Sequence, residues 1–416
     1  MNADRVDIII RGAGLAGTSL MLALVEQGYT GKILVVDKLP KPDTQKTWCF
    51  WGDQNLPDSM RALIAKRWLT WSFSSDDEEF EHKTSSFDES YCCIKAEDFY
   101  QYALSKLTKT SNIEWHWNTD CEQIDSDDTA CEEGVAIMLN GKRVSADLGF
   151  DSAGQCTAPD AALNKVPNKA PNTSIINQYF SGAWVTSASP IFDSNSAALM
   201  KNMVADNHCF EFTYILPFNA HSALIELTRF STRQESLSDM QSACEQIIAD
   251  GKYGTNIGNE TTIERWEKGV LPMDTRIKPV KVGNWESIGV RGNMIRASSG
   301  YAFMIIQRWA KYAAAVICNN AIQRENSGAK DTHRQQIVFT KSAVPSLYTK
   351  LDSVFLKVMR TDMARAPQLF SAMAQHIEAG AFARFMSESA SFKDMLAMIN
   401  AMPKRPFLRA LITPEH

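Results

Sequence analysis

The run VDIIIRGAGLAGTSLMLALVEQGYTGKILVVDK, residues 6–38, constrains this chain more than any other stretch. An apolar strand runs into a glycine turn. A helical stretch follows, with Leu20, Leu24 and Val25 along one side, and a second apolar strand ends at Asp37. Gly12, Gly14 and Gly17 have the G-x-G-x-x-G spacing. The first glycine permits a tight turn. The second lets backbone approach a pyrophosphate, and the third lets helix pack on strand while the helix N-terminus faces the phosphates. Asp37 stands where a carboxylate can accept a ribose hydroxyl, and Lys38 follows it at the same rim. Strand, turn, helix and acid together predict a dinucleotide site. The bland reading is a tight turn that binds nothing. Arg11 is unusual, because that position is normally small or apolar.

With 416 residues the chain is too long for one simple core and predicts two or three regions. A net charge of −5 gives no basic surface for nucleic acid. Asp76-Asp77-Glu78-Glu79 reads as solvated loop. Nine cysteines without a C-x-x-C pair point to reduced thiols in a cytoplasmic protein, and the histidines have no metal spacing. The opening MNADRVDIII carries acids and leads straight into a strand, unlike a signal peptide. No apolar run approaches the roughly 20 residues of a membrane span. Lying on a membrane surface stays open.

One fingerprint near the N-terminus, with no second copy, favours tightly bound FAD over a nicotinamide dehydrogenase. GNMIRASSGYAF places Ser298, Ser299 and Gly300 before an apolar helix, whose N-terminus either approaches a flavin or is simply capped. Elsewhere, 96–107 has helical spacing, and GVAIMLNGKRVSADLGF is a hairpin around Asn140-Gly141. Residues near 155–175 read as linker, 176–230 as strands, 235–250 as helix, and the chain from about 304 onward as mostly helical. LDSVFLKVM puts Leu351, Val354, Phe355, Val358 and Met359 on one face.

YILPFNAHSALIELTRF, residues 214–230, holds Glu226 among Leu224, Ile225 and Leu227. A carboxylate there costs solvation unless it is paired, exposed or protonated. Strand alternation puts Glu226 on the face of Leu224 and Thr228, opposite Ile225 and Leu227. Most strand carboxylates are solvated or paired, and a proton-donating acid in an apolar pocket is the sharper alternative.

In order along the chain, RGAGLAG with Asp37, KTWCFWGD (46–53), YCCIKAEDFYQYAL (91–104), QYFSGAWV (178–185), FTYILPFNAHSALIELTRFS (212–231), EKGVLPM (267–273) and ASSGYAF (297–303) resemble blocks of the flavin-dependent lycopene β-cyclases. The resemblance covers nearly the whole chain. It implies an α/β fold: an FAD-binding Rossmann-like domain of the glutathione-reductase/hydroxylase type, an antiparallel β-sheet substrate domain and a C-terminal helical region. The implied boundaries are 1–160 and 265–330 for the FAD domain, 161–264 for the sheet domain and 331–416 for the helices. The implied activity closes rings at the ends of a linear carotenoid, with reduced FAD and NADPH or NADH as reductant but no net redox change.

Glu226 aligns with the first acid of the family's Phe-Leu-Glu-Glu-Thr-like block, so the resemblance makes it the acid that protonates a terminal alkene. Such a step needs a neutral, desolvated carboxylic acid. Gly12, Gly14, Gly17, Asp37, Lys38, Lys95, Ser299, Gly300 and Tyr301 are the expected cofactor-binding residues. For Lys95 the alternatives are a phosphate contact or a solvated lysine. Trp48, Phe50 and Trp51 wall the flavin or pack a core. Pro272 and Met273 shape a flavin loop or turn the chain, and Asp274 is a second candidate acid. Four positions depart from the family pattern: Leu227 replaces the second acid, Lys201 an acid, Ala153 an arginine, and Ala297 a proline. A polyene substrate implies a peripheral contact with the inner membrane, and Lys404, Arg405 and Arg409 beside Phe407 and Leu411 suit a surface helix or, alternatively, a lid on the core. The competing readings are an NAD(P)H-dependent flavin oxidoreductase, of monooxygenase or prenyl reductase type, on a lipophilic substrate, and a silent flavin-binding protein.

Overall fold

The strand Asp4–Arg11 is flanked in parallel by Ile33–Val36 and by Lys142–Asp151. The structure, a computed structural model, describes residues 4–52, 56–75, 78–124, 134–152, 175–251, 261–276, 284–327, 339 and 343–412. Ile113–His116 extends this first sheet on one side. On the other, Val135–Leu139 returns antiparallel to Lys142–Asp151, and Trp285–Ser287 adds a parallel edge. Asn140 and Gly141, at φ of 50° and 76°, make the left-handed two-residue turn that this pair favours. The helix Leu15–Glu26 lies between this sheet and the long helix Phe303–Ser327. It is therefore buried on more than the single side its apolar spacing indicates: Ser19, Leu20, Met21 and Leu22 are all buried.

A second sheet runs in the order Thr261–Met273, Ile176–Ser187, Ser222–Ser231, Cys209–Asn219, Ser196–Ala205, Thr70–Ser75, Glu79–Lys83. All neighbours are antiparallel except Ser196–Ala205 with Thr70–Ser75. One face carries the helix Leu237–Ala249, with Ile225, Leu227, Met240, Cys244 and Ile248 in the core between them. The far part of the other face packs on the C-terminal helices Ser346–Thr361, Ala366–His376 and Ala379–Met386 through Phe210, Leu356, Leu369, Phe370 and Phe382. A small sheet of Thr47–Trp51, Tyr91–Lys95 and Ile64–Trp68 joins the two large ones.

The expected region boundaries need correction. The second sheet recruits Thr70–Lys83 from the segment assigned to the cofactor domain, and its edge strand continues past residue 264 to Met273. Strand pairing over such distances is decided by which apolar faces meet, and composition along the chain carries no mark of it. The expected linker near 155–175 falls almost wholly on 153–174, outside the described residues, as do Asp76, Asp77 and Ala153. On Ser346–Thr361, Val358 and Met359 are buried with Leu356, while Val354 and Phe355 pack at the rim of the same core.

Candidate active site

One cavity of about 1330 Å³ runs from the glycine turn of the first sheet to the face of the second. That exceeds the roughly 300–1,000 Å³ of a pocket for a drug-sized ligand, and leaves room for a dinucleotide and a second apolar molecule. Its two ends differ in chemistry.

At the first end, Gly12 turns the chain at φ 92° and donates its N–H to the Val36 carbonyl at 2.8 Å. A Cβ on Gly17 would lie 2.2 Å from the Gly12 carbonyl oxygen, so only glycine lets helix and turn close up. A Cβ on Gly14 would meet nothing within 4 Å. Gly14 is the N-cap of Leu15–Glu26 and no side chain caps that end, so the first-turn N–H groups face the cavity. Asp37 Oδ2 accepts from the Ala13 N–H at 2.7 Å, which ties the acid to the turn, and Lys38 lies exposed at the rim. Arg11 is explained by Asp151: its guanidinium bonds that buried carboxylate at 3.2 Å, and Arg291 lies 3.4 Å from the same group.

The opposite wall comes from the turn before Phe303. Gly300, at φ 74°, approaches so closely that a Cβ would lie 2.4 Å from Gln178 Oε1. Ser299 Oγ and Gln178 Oε1 are both buried, line the cavity, and have no hydrogen-bond partner among the described residues. Two buried polar atoms without partners, facing a space opposite an uncapped helix N-terminus, fit a bound group that carries phosphates at one end and a polar ring at the other. Gly12, Gly14, Asp37, Lys38, Ser299, Gly300 and Tyr301 all line this space, and Gly17 supports it from beneath.

At the second end, Glu226 and Glu267 flank Gly182. Gly182 pairs with Glu226 on one side and with Glu267 on the other, and Tyr214 pairs with Glu226 beyond. Register partners point to one face, so two carboxyls and a phenol form a row across the sheet. A Cβ on Gly182 would lie 3.2 Å from Glu226 Cβ and 3.3 Å from its Cγ, so the glycine makes room for the Glu226 stem. Burial, then the nearby Glu267 charge, pushes Glu226 up to about 8, opposed by the Thr228 hydroxyl that donates to its Oε1 at 3.0 Å. Burial pushes Glu267 up to about 7, opposed by Thr47, Arg265 and Lys46. The surface Glu226 does expose opens into the cavity. Around the pair stand Trp48 and Leu224, with Tyr91, Tyr214 and Tyr301. Tyr301 donates to the Tyr91 hydroxyl at 3.4 Å. Burial raises all three phenols, Tyr301 to about 12, so they stand as neutral hydroxyls and π faces.

Several expected residues lie elsewhere. Lys95 does not line the cavity: its ammonium sits 4.7 Å from the Trp184 ring and 5.0 Å from the Phe218 ring, so it is neither a phosphate contact nor a solvated lysine. Trp48 reaches the cavity, whereas Phe50 stacks on Phe303 at 4.8 Å and Trp51 packs on Trp71, Tyr91 and Phe382. Pro272 and Met273 end the edge strand and make no loop. Asp274 does not line the cavity: it is ion-paired with Arg276, and Arg360 lies 3.8 Å away. Glu267 is the functional candidate that the sequence reading missed. Glu264, Arg265 and Lys268 surround it, and such a stretch reads as solvated edge strand. The glycine opposite it, which aims it at Glu226, lies 85 residues away in sequence.

Comparison with known proteins matches residues 7–412 to the family described as lycopene cyclase protein. A lycopene beta-cyclase of Pantoea ananas is 23% identical over 97% of each chain. A lycopene beta-cyclase of Paracoccus sp. (strain N81106 / MBIC 01143) is 23% identical over 71% of this chain and 70% of its own. Among solved structures, a geranylgeranyl bacteriochlorophyll reductase-like protein of Thermoplasma acidophilum superposes with a TM-score of 0.58 at 12% identity, covering 98% of both chains. The flavin-dependent brominase Bmp2 gives 0.56 at 14% identity and the same coverage. The fold is thus the α/β fold of flavin-dependent reductases and halogenases.

Proposed function

From a chain that belongs to the lycopene cyclase family, we propose that this protein closes the end groups of a linear carotenoid, such as lycopene, into β-type rings without net redox change. One observation carries the reading: Glu226, held protonated by burial up to about 8, faces a cavity whose other end is built for a dinucleotide. Alkene protonation needs a strong acid from which water is excluded. Glu226 would deliver its proton to the terminal double bond, leaving a tertiary cation. The next double bond attacks that cation, and loss of a ring proton leaves the cyclohexene. Trp48 and the three tyrosines would offer the cation π faces in place of water.

FAD is the cofactor we propose. The Leu15–Glu26 N-terminus with Gly12 and Gly14 would take its pyrophosphate, Asp37 its ribose, and Ser299 and Gln178 its ring edge. In reduced form, with NADPH or NADH as the source of electrons, it would supply negative charge beside the cation.

A peripheral membrane contact belongs to the same proposal, because the substrate dissolves in lipid. Among the described residues no helix is long and apolar enough to cross a membrane. The C-terminal helices Phe392–Ala401 and Lys404–Ile412 expose Phe392, Leu396, Ile399, Leu408, Leu411 and Ile412. Lys393, Arg405 and Arg409 stand beside them, a pairing suited to anionic headgroups over acyl chains.

The test is anaerobic incubation of the protein with FAD, NADPH and lycopene in liposomes, with pigments separated and weighed by mass spectrometry. A product isomeric with lycopene is expected. Glu226→Gln should keep flavin and lose turnover by at least about 100-fold, the scale of a removed general acid. A product of changed mass would point instead to an oxidoreductase, and full turnover by Glu226→Gln would remove the acid from the reading.

A further inference from the structure

Ring closure adds a proton at one carbon and removes one from another, and a single acid accounts for only the first event unless it also retrieves the second. Two of the carboxyls that line the cavity, Glu226 and Glu267, are placed by register on either side of a residue that has no side chain. Their Cα atoms are two strand spacings apart, roughly 9–10 Å. Both side chains point to one face, and the Glu226 stem leans over Gly182, into the space a Cβ would fill. Two carboxyls so placed can reach two carbons of one six-membered ring lying across Gly182.

Resting on the cyclase reading above, we propose that Glu267 is the base that removes the ring proton, so that Glu226 gives and Glu267 takes. The balance closes. The O–H bond of Glu226 breaks as a C–H bond forms on the terminal alkene carbon. The neighbouring double bond supplies the electron pair of the new C–C bond. A ring C–H bond then breaks, its electrons form the ring double bond, and its proton moves to a Glu267 oxygen. The polyene gains and loses one proton and no electrons. The pair resets when the proton passes from Glu267 back to Glu226.

The environments of the two groups support this division of labour. Glu226 has an apolar neighbour in Leu224 and a single hydroxyl partner in Thr228. Glu267 has Arg265 and Lys46 nearby, which favour its charged form. Burial raises both carboxyls, and cations oppose it only at Glu267, an asymmetry that favours a carboxylate base at Glu267 beside a carboxylic acid at Glu226. The same placement assigns Glu267 a second effect: the carbon it faces determines which ring proton departs, and so where the ring double bond lies.

The test compares wild type, Glu267→Gln and Glu267→Asp in the lycopene liposome assay from pH 5.5 to 9, with flavin retention and melting temperature measured on each. Wild type should give a bell-shaped rate whose limbs belong to the pair. Glu267→Gln should keep flavin and fold, lose about 100-fold in kcat, lose the acidic limb, and release a mixture of ring double-bond isomers. Glu267→Asp should recover part of the rate and the limb. A Glu267→Gln enzyme with wild-type rate and limbs overturns the assignment and leaves the cyclase intact. A loss that Asp does not restore at all assigns Glu267 to packing and overturns it too. If wild type itself forms no isomer from lycopene, the cyclase reading fails and the base falls with it.

Discussion

At the scale of the residue, Leu227 lies on the face that strand alternation gives it. It stands where the family has a second acid, and looks like a carboxylate lost beside Glu226. The structure puts Leu227 on the opposite face, in the core under Leu237–Ala249 with Met240, Cys244 and Ile248. A carboxylate there would be buried far from the cavity, while the second acid of the cavity comes from another strand as Glu267. Burial of Glu226 also has a stability consequence. Its proton affinity is raised on folding, so the native state binds more protons than the unfolded chain between about pH 4.3 and 8. Its contribution is fully present below the unfolded value and is lost as pH rises through about 8. Glu226→Gln should therefore melt a few degrees higher than wild type at pH 8.5, the difference vanishing near pH 4.5 in a scanning calorimeter.

At the scale of the element, the C-terminal helix Lys404–Ile412 has one packed side and one exposed apolar side. Phe407 packs inward against the core, as a lid would. Leu408, Leu411 and Ile412 face out at 56%, 64% and 81% exposure, beside Phe392 at 79% on the preceding helix. The spacing Phe392, Leu396, Ile399 follows one helix face, so exposure is organised, and apolar area of this kind marks a contact surface. Phe392→Asp with Leu408→Asp should weaken co-sedimentation with anionic liposomes by about tenfold or more, since burying one such side chain contributes about 1.5–3 kcal/mol. Flavin retention should be unchanged. Equal binding by wild type and variant would remove this face from the membrane proposal.

At the scale of the whole molecule, the cavity is closed by segments that no local pattern joins. Arg296, 1% exposed, holds the turn that carries Ser299–Tyr301 against the C-terminal helices. Its guanidinium lies between the Tyr348 and Phe385 rings, donates to the Phe385 carbonyl at 2.6 Å, and pairs with buried Asp352 at 3.3 Å. Ser298 donates to the same carboxylate at 2.7 Å. Asp352→Asn strands a buried cation, which costs about 3–5 kcal/mol. An unfolding free energy lowered by that amount, read as a lower denaturant midpoint, together with faster loss of flavin, is the expected outcome. An unchanged midpoint would show that the pair does not carry the link between turn and helices.

The glycine turn and the acid beside it were legible in the sequence. Gly12, Gly14, Gly17 and Asp37 act through backbone geometry and local spacing, and neither depends on distant residues. The same holds for the Asn140-Gly141 turn and for the face on which Glu226 lies, because turn chemistry and strand alternation are short-range rules. What only the tertiary structure decided is the company these residues keep. Lys95 left the expected phosphate site for two aromatic rings, Asp274 acquired arginine partners outside the cavity, and Glu267 came across Gly182 from a strand 41 residues downstream of Glu226. Strand pairing between segments distant in sequence is set by the mutual burial of whole faces. The protonation state of a carboxyl depends on what those faces bring within a few ångströms of it.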